Sequence, residues 1–355
     1  MTVPTLPRST GPVQFGSDYA RLLAEVRRAG LLERSGWRYL TRVLTLAASI
    51  GAGVLALSWV GDSWWTLGVA AYAGAVMAQL GFLGHDAGHQ QMFHGKRWND
   101  RVGVAVSALG VGLSYRWWVD KHSRHHRNPN EIGRDPDVDR NVLAWTPEQA
   151  QGQRGLFRLI ARHQDALFFP LLLLEGWNLH AGSVRTLLHR QPRTTELLLL
   201  CAHTAGGVAL LLTFLSPLKA LIFLLVQQST FGLYLGATFA PNHKGMPILD
   251  AGSEHPDFLR RQVLTSRNIT GGRLTALGLG SLNFQIEHHL FPSMPSANLR
   301  RCRPLVRRFC AEHAVAYTET GLFDSYRRVL RYLGNIRPDG PGTPMVTGSL
   351  SRRGL

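Results

Sequence analysis

The chain is poor in cysteine, in lysine and, over its longest segments, in charge of either sign. Its three cysteines, Cys201, Cys302 and Cys310, form neither an even disulfide framework nor a metal-ligand spacing, so reduced thiols are expected. Of 39 basic residues only Lys96, Lys121, Lys219 and Lys244 are lysine, which reads as the coding habit of a GC-rich genome. Residues 1–36 hold no apolar stretch ahead of a small-residue cleavage site, so no secretory signal is expected. No internal repeat is present.

The absence of charge is the most informative. Residues 43–60, 63–84, 197–218 and 220–243 contain no Asp, Glu, Lys or Arg. A helix crosses a bilayer with about 20 apolar residues, so each stretch is read as a span. Only Gly61 and Asp62 separate the first two, and Lys219 the last two, which predicts two tight helical hairpins. Every basic residue except Lys219 then lies on the opposite side, and the positive-inside rule puts both termini and residues 85–195 in the cytoplasm. The net charge of +16 is thereby assigned to a membrane surface; a nucleic-acid partner is excluded, because the basic residues are scattered between spans.

The spans set the domain reading: an N-terminal segment 1–36, a membrane domain 37–335 and a disordered tail 336–355 rich in Gly, Pro, Ser and Arg. Ser17 and Asp18 cap a helix over 18–34 whose Leu22, Leu23, Val26, Leu31 and Leu32 face either the membrane interface or a core. Residues 102–113 and 166–174 are apolar but too short to span, and are placed along the interface. Trp64-Trp65 and Trp117-Trp118 are read as interfacial anchors. Proline, glycine and aspartate make 128–139 a loop.

Histidines fall in three clusters: HDAGH at 85–89, HSRHH at 122–126 and QIEHH at 285–289. Residues three or four apart share one helix face. His85 pairs with His89, His122 with His125 and His126, and Gln285 with His288 and His289. Imidazole suits iron, copper, zinc and nickel. Seven such ligands exceed the need of one mononuclear site and suggest two metals. The spans bring all three clusters to one side, at the membrane face.

In order, spacing and composition these clusters resemble the boxes of the membrane fatty acid desaturase family, HxxxH, HxxHH and [HQ]xxHH, over roughly residues 37–335. QIEHHLFP at 285–292 is similar to the third box of acyl-CoA and front-end desaturases. The resemblance implies an all-α membrane protein of four helices with a cytosolic cap. It also implies a non-haem centre of two irons that uses dioxygen to introduce a double bond into an acyl chain, carried as acyl-CoA or acyl-lipid. Such C–H bonds are beyond side-chain acids or bases, so the metal supplies the oxidising power.

Imidazole ligands are neutral, and acidic neighbours are expected to orient them. Asp86 beside His85 and Glu287 beside His288 are the first candidates, with Asp135, Asp137 and Asp139 behind them. Gln285 either reaches the metal through water or supports its ligands, amide oxygen being a poorer iron ligand than imidazole. His243, just past the fourth span, is added to the ligands because the family commonly carries an extra histidine there. His94 is read as an exposed loop residue, and His203 as a hydrogen-bonded histidine between helices. Trp117-Trp118 has a second reading, as the wall of an acyl tunnel.

Within the enzyme class the alternative is a hydroxylase, ketolase or acetylenase using the same boxes. Outside it the alternative is a metal-transport or metal-sensing protein, disfavoured because transporters place ligands near the bilayer midplane. The haem motif HPGG is absent, so electrons are expected from a separate ferredoxin and reductase. Their expected docking face is the basic one around the third box: Arg260, Arg261, Arg267, Arg300, Arg301, Arg303, Arg307 and Arg308. The expected setting is a bacterial plasma membrane, with membrane lipid as the surrounding partner.

Overall fold

The computed structural model describes residues 17–139, 142–189, 194–250 and 256–339. In chain order the helices begin with α1 (Asp18–Arg28), α2 (Gly36–Val60), α3 (Thr66–Gly88) and α4 (Lys96–Val104), which runs on as a π-helix, Ala105–Val111, before α5 (Tyr115–Arg127). Then come α6 (Pro147–Gln151), α7 (Gly155–Arg162), α8 (Gln164–Leu172), α9 (Glu175–His189), α10 (Thr194–Phe214) and α11 (Pro217–His243). The last part holds α12 (Phe258–Leu264), β1 (Asn268–Thr270), α13 (Arg273–Gly278), α14 (Gln285–Leu290), α15 (Ser296–Glu312), β2 (Glu319–Gly321) and α16 (Leu322–Asn335). The chain is thus mostly helical, as expected. It adds a short parallel pair of strands, Asn268 opposite Glu319, which the sequence did not foretell.

Four helices, α2, α3, α10 and α11, are long and apolar enough to cross a membrane. A helix satisfies its backbone hydrogen bonds internally, which lipid demands. Only 11% and 6% of the apolar windows of α2 and α10 are buried, against 44% and 33% for α3 and α11. The first two therefore leave most of their side chains for lipid. The other two turn polar groups inward: Gln79 of α3 donates to the Tyr234 hydroxyl of α11 at 2.7 Å.

The helices start and stop differently from the uncharged runs. α2 begins at Gly36, taking in Arg38 and Arg42, and α3 continues through His85 to Gly88 rather than ending at Gly84. α10 stops at Phe214 and Pro217 opens α11, where its missing N–H costs nothing. Lys219 therefore sits inside the first turn of α11, not in the turn itself. It bonds the Asp62 carbonyl, and Asp62 accepts from the Ser216 amide at 2.9 Å.

By contact the chain divides into two compact units, one from residues 1–33, 123–166 and 240–355 and the other from 34–122 and 167–239. In the second unit α2 packs on α3, and both α3 and α10 pack on the π-helix. Residues 102–113, expected as one interfacial run, instead end the π-helix at Gly112, and α5 leaves at 110°. Gly112 has φ +78, and a Cβ there would lie 2.5 Å from the His203 ring. That ring donates through Nδ1 to the Leu109 carbonyl at 2.8 Å, the interhelical bond expected of it.

In the first unit Ser17 caps α1 by accepting from the Ala20 amide. Leu22 and Val26 of α1 are buried in one cluster with Leu259, Val263, Ile286, Leu290, Leu299 and Phe309. Burying each such side chain contributes about 1.5–3 kcal/mol, so α1 is a packing helix. α16 packs on both strands. Ile336, assigned to the tail, is buried with Ala144, Ala150 and Ala161, and Gln164 donates to its carbonyl at 2.8 Å. The tail from residue 340 onward lies outside the described residues.

Candidate metal centre

In the unit of residues 34–122 and 167–239, the last turn of α3 carries His85 and α5 carries His122, with His89 at the α3 cap. Their ligand nitrogens lie within 4.8 Å of one another, and the ring centroids are 4.7, 4.9 and 4.9 Å apart. Asp86 is buried. One of its oxygens lies 3.3 Å from His85 Nδ1, and the other accepts from Arg42 at 2.8 Å. Trp118, read as an interfacial anchor or tunnel wall, stacks on His122 with centroids 4.5 Å apart. Gly88 makes room for it: a Cβ there would fall 2.6 Å from Trp118 Cζ3.

In the other unit His125, His243 and His289 bring their ligand nitrogens within 4.8 Å, and all three are buried. Each ring is turned by an oxygen acceptor on its Nδ1. For His125 this is Asp135 Oδ2 at 2.9 Å, for His243 the Thr265 carbonyl at 3.0 Å, and for His289 Gln262 Oε1 at 2.9 Å. A bond from Nδ1–H to oxygen fixes the tautomer that presents the Nε2 lone pair, the usual outer support of a metal-bound imidazole. His126 and His288 aim their Nε2 atoms at one another, 3.1 Å apart. Two imidazole lone pairs at that distance call for a shared proton or a shared cation. The donor set therefore fits a transition metal of intermediate softness, iron included.

The remaining expected residues behave less uniformly. Gln285 Nε2 donates to His243 Nε2 at 2.8 Å, and its oxygen accepts from Asn242 at 3.3 Å, so its amide occupies the lone pair that a metal on His243 would take. Glu287 is fully buried, and its carboxylate turns to Tyr317 at 2.6 Å and Asn268 at 2.8 Å rather than to a box histidine. Burial pushes its pKa up to about 7, with the Tyr317 and Asn268 hydrogen bonds pulling the other way. Asp135, ranked behind Asp86 and Glu287 from sequence, is the carboxylate bonded to His125. Its pKa is lowered: burial raises it, and the His125 charge and hydrogen bond outweigh that. Asp137 lies 3.6 Å from the same nitrogen. His94 is exposed, 3.4 Å from Arg34.

Three residues escaped the sequence reading. Gln262 ties the second box to the third, since its amide nitrogen also donates to the His126 carbonyl at 3.0 Å. Asn130 donates to the His243 carbonyl at 3.1 Å. Arg267, counted in the basic face, is 1% exposed and bonds the Pro241 and Lys244 carbonyls beside His243. Its position beyond the fourth span, in a segment otherwise rich in apolar and amide residues, was the available signal.

Clustered imidazoles within each unit, in a chain with four apolar helices long enough to span, point to a membrane protein that binds metal through histidine. The chain belongs to the fatty acid desaturase family, whose sequence model matches residues 62–321. It is 28% identical over 333 residues to the acyl-lipid (9-3)-desaturase of Physcomitrium patens, covering 90% of this chain and 62% of that protein. Against the Delta(8)-fatty-acid desaturase of Helianthus annuus it is 24% identical, covering 89% and 72%. Against the acyl-lipid 8-desaturase of Rebecca salina it is 30% identical, covering 73% and 62%. The chain thus spans under two thirds of the length of the moss and Rebecca proteins. These relatives are eukaryotic, and the expected bacterial setting draws no support from them.

Proposed function

We propose that this chain is an oxygen-dependent fatty acyl desaturase that introduces a C=C bond into an acyl chain. The observation that carries the reading is the buried trio His125, His243 and His289, each ring held through Nδ1 by an oxygen acceptor, in a chain of the desaturase family. Two irons are the cofactor that this reading requires, held by His85, His89, His122, His125, His126, His243, His288 and His289. When bound they would activate dioxygen, the oxidant that removal of two hydrogens from a methylene pair needs. The side chains do the rest. Asp86, Asp135, Gln262 and the Thr265 carbonyl orient imidazoles, and burial keeps bulk water from the reacting chain.

The names of two relatives favour an acyl-lipid substrate over acyl-CoA. The topology of this reading is two hairpins, α2 with α3 and α10 with α11, termini and metal site on the cytoplasmic face. The domain reading is a membrane domain over 37–335. Two electrons per turnover come from a separate donor, a ferredoxin with its reductase. The test is purification in detergent with metal analysis: the reading expects about two irons per chain, lost in His125→Ala and His288→Ala variants that still insert. Stoichiometric zinc in protein that turns over would contradict it.

A further inference from the structure

The third box sits on α14, a helix of only six residues, Gln285–Leu290. A helix so short does not hold itself, because nucleation fixes several residues for a single hydrogen bond. Nor does it have its own cap: Phe284 occupies the N-cap position and offers no side-chain bond. Yet metal ligands must be held to about 0.5 Å to work. His288 and His289 therefore need a brace from elsewhere.

Asn268 fills that need. Its side-chain oxygen accepts from the Ile286 amide at 2.9 Å, taking the place of the missing N-cap from another element. Its amide nitrogen donates to Glu287 Oε2 at 2.8 Å and to the Tyr317 hydroxyl at 2.6 Å. Tyr317 in turn donates to Glu287 Oε1 at 2.6 Å. Asn268 is itself anchored by the parallel strands: its backbone amide donates to the Thr318 carbonyl at 3.0 Å, and it pairs with Glu319. The Ile269 amide closes the loop onto the Asn283 carbonyl at 2.9 Å, just ahead of the box. All of Asn268, Asn283, Ile286 and Glu287 are buried, and Tyr317 is partly so. Buried polar groups this closely matched have one arrangement open to them.

We infer that Asn268 and Tyr317 are positioning residues of the third box, acting through Ile286 and Glu287 to hold His288 and His289 in register for metal. This rests on the metal reading given above. The two short strands thereby gain a purpose, since they carry the brace to a helix that cannot cap itself. The same brace accounts for an acid that turns away from the histidines. Glu287 serves as the handle by which the box is gripped.

The donor and acceptor roles make the inference testable. Asn268→Asp keeps the acceptor for the Ile286 amide but sets a carboxylate against Glu287. Adding Glu287→Gln to it returns a donor to that contact. Tyr317→Phe removes one bond and leaves the ring. Each variant, and the parent, is purified with iron, and three quantities are read: the ferrous ligand-field spectrum, the rate of iron loss to a chelator, and kcat against KM. The expected result for Asn268→Asp is shifted ligand-field bands, iron loss faster by about tenfold or more and a lowered kcat with KM unchanged. Tyr317→Phe should do the same more weakly, and the double exchange should restore most of each quantity. Unchanged bands and iron-loss rate in Asn268→Asp, or no restoration in the double exchange, would overturn the inference. A parent that holds iron but leaves acyl chains untouched would overturn the activity alone; a parent that holds no iron would overturn both.

Discussion

His125 and Asp135 share a buried hydrogen bond of 2.9 Å, from the imidazole Nδ1 to a carboxylate oxygen that also accepts from the Asn130 amide at 2.8 Å. Two donors aimed at one oxygen hold the carboxylate still, and the carboxylate in turn holds the ring. Asp135→Asn keeps the shape and loses the charge. Iron affinity, measured by competition with a chelator, should fall by about 10–100-fold, while the protein remains inserted.

Gln262 spans two boxes with one amide, bonding His289 Nδ1 and the His126 carbonyl. Gln262→Leu removes both bonds from a buried site, each worth about 0.5–1.5 kcal/mol. Thermal unfolding in detergent should show the sum of the two. Gln262→Glu, which keeps the acceptor for His289 and loses the donor, should fall between. Equal unfolding temperatures for Gln262→Leu and the parent would mean that the boxes are held by other contacts.

Gly88 and Trp118 give a packing test. A methyl at position 88 meets the indole, which stacks on His122, so Gly88→Ala must displace the ring or the helix. Overpacking of this kind costs about 1–3 kcal/mol. The variant should unfold earlier and carry less iron, and a second change, Trp118→Leu, should recover part of the stability. Iron content is read by metal analysis of both proteins at equal insertion.

The box histidines and the four apolar helices were legible because their signals are local: spacing within one helix, and length without charge. What was not legible depends on partners far apart in sequence. Asp86, Asp135 and Glu287 look alike as acids near histidines, and only the fold separates the two bonded to imidazole from the one gripped by Tyr317 and Asn268. The basic face met the same limit. Arg303 and Arg307 pair with Glu319, Arg308 with Glu25, Arg260 with Asp18 and Asp257, and Arg267 is buried. Charge can be counted from sequence, but its neutralisation cannot. The strands, three residues each, carry too little pattern to be seen in advance.

His243 and His94 both follow a box or span closely, yet their surroundings differ. His243 is buried beside His125 and His289, while His94 is exposed. His243→Ala should lower iron content and abolish turnover; His94→Ala should leave most of both. The comparison needs one host and matched membrane insertion. A dead His94 variant beside an active His243 variant would reverse the assignment.

The central claim is acyl desaturation by a metal centre in these histidines. It is tested most directly by gas chromatography–mass spectrometry of total acyl chains from a host expressing the chain, with double bonds located by derivatisation. The account predicts a new unsaturated acyl chain that forms only with oxygen and disappears in the His288→Ala variant. An unchanged acyl profile from inserted, iron-loaded protein supplied with a reducing donor would contradict it.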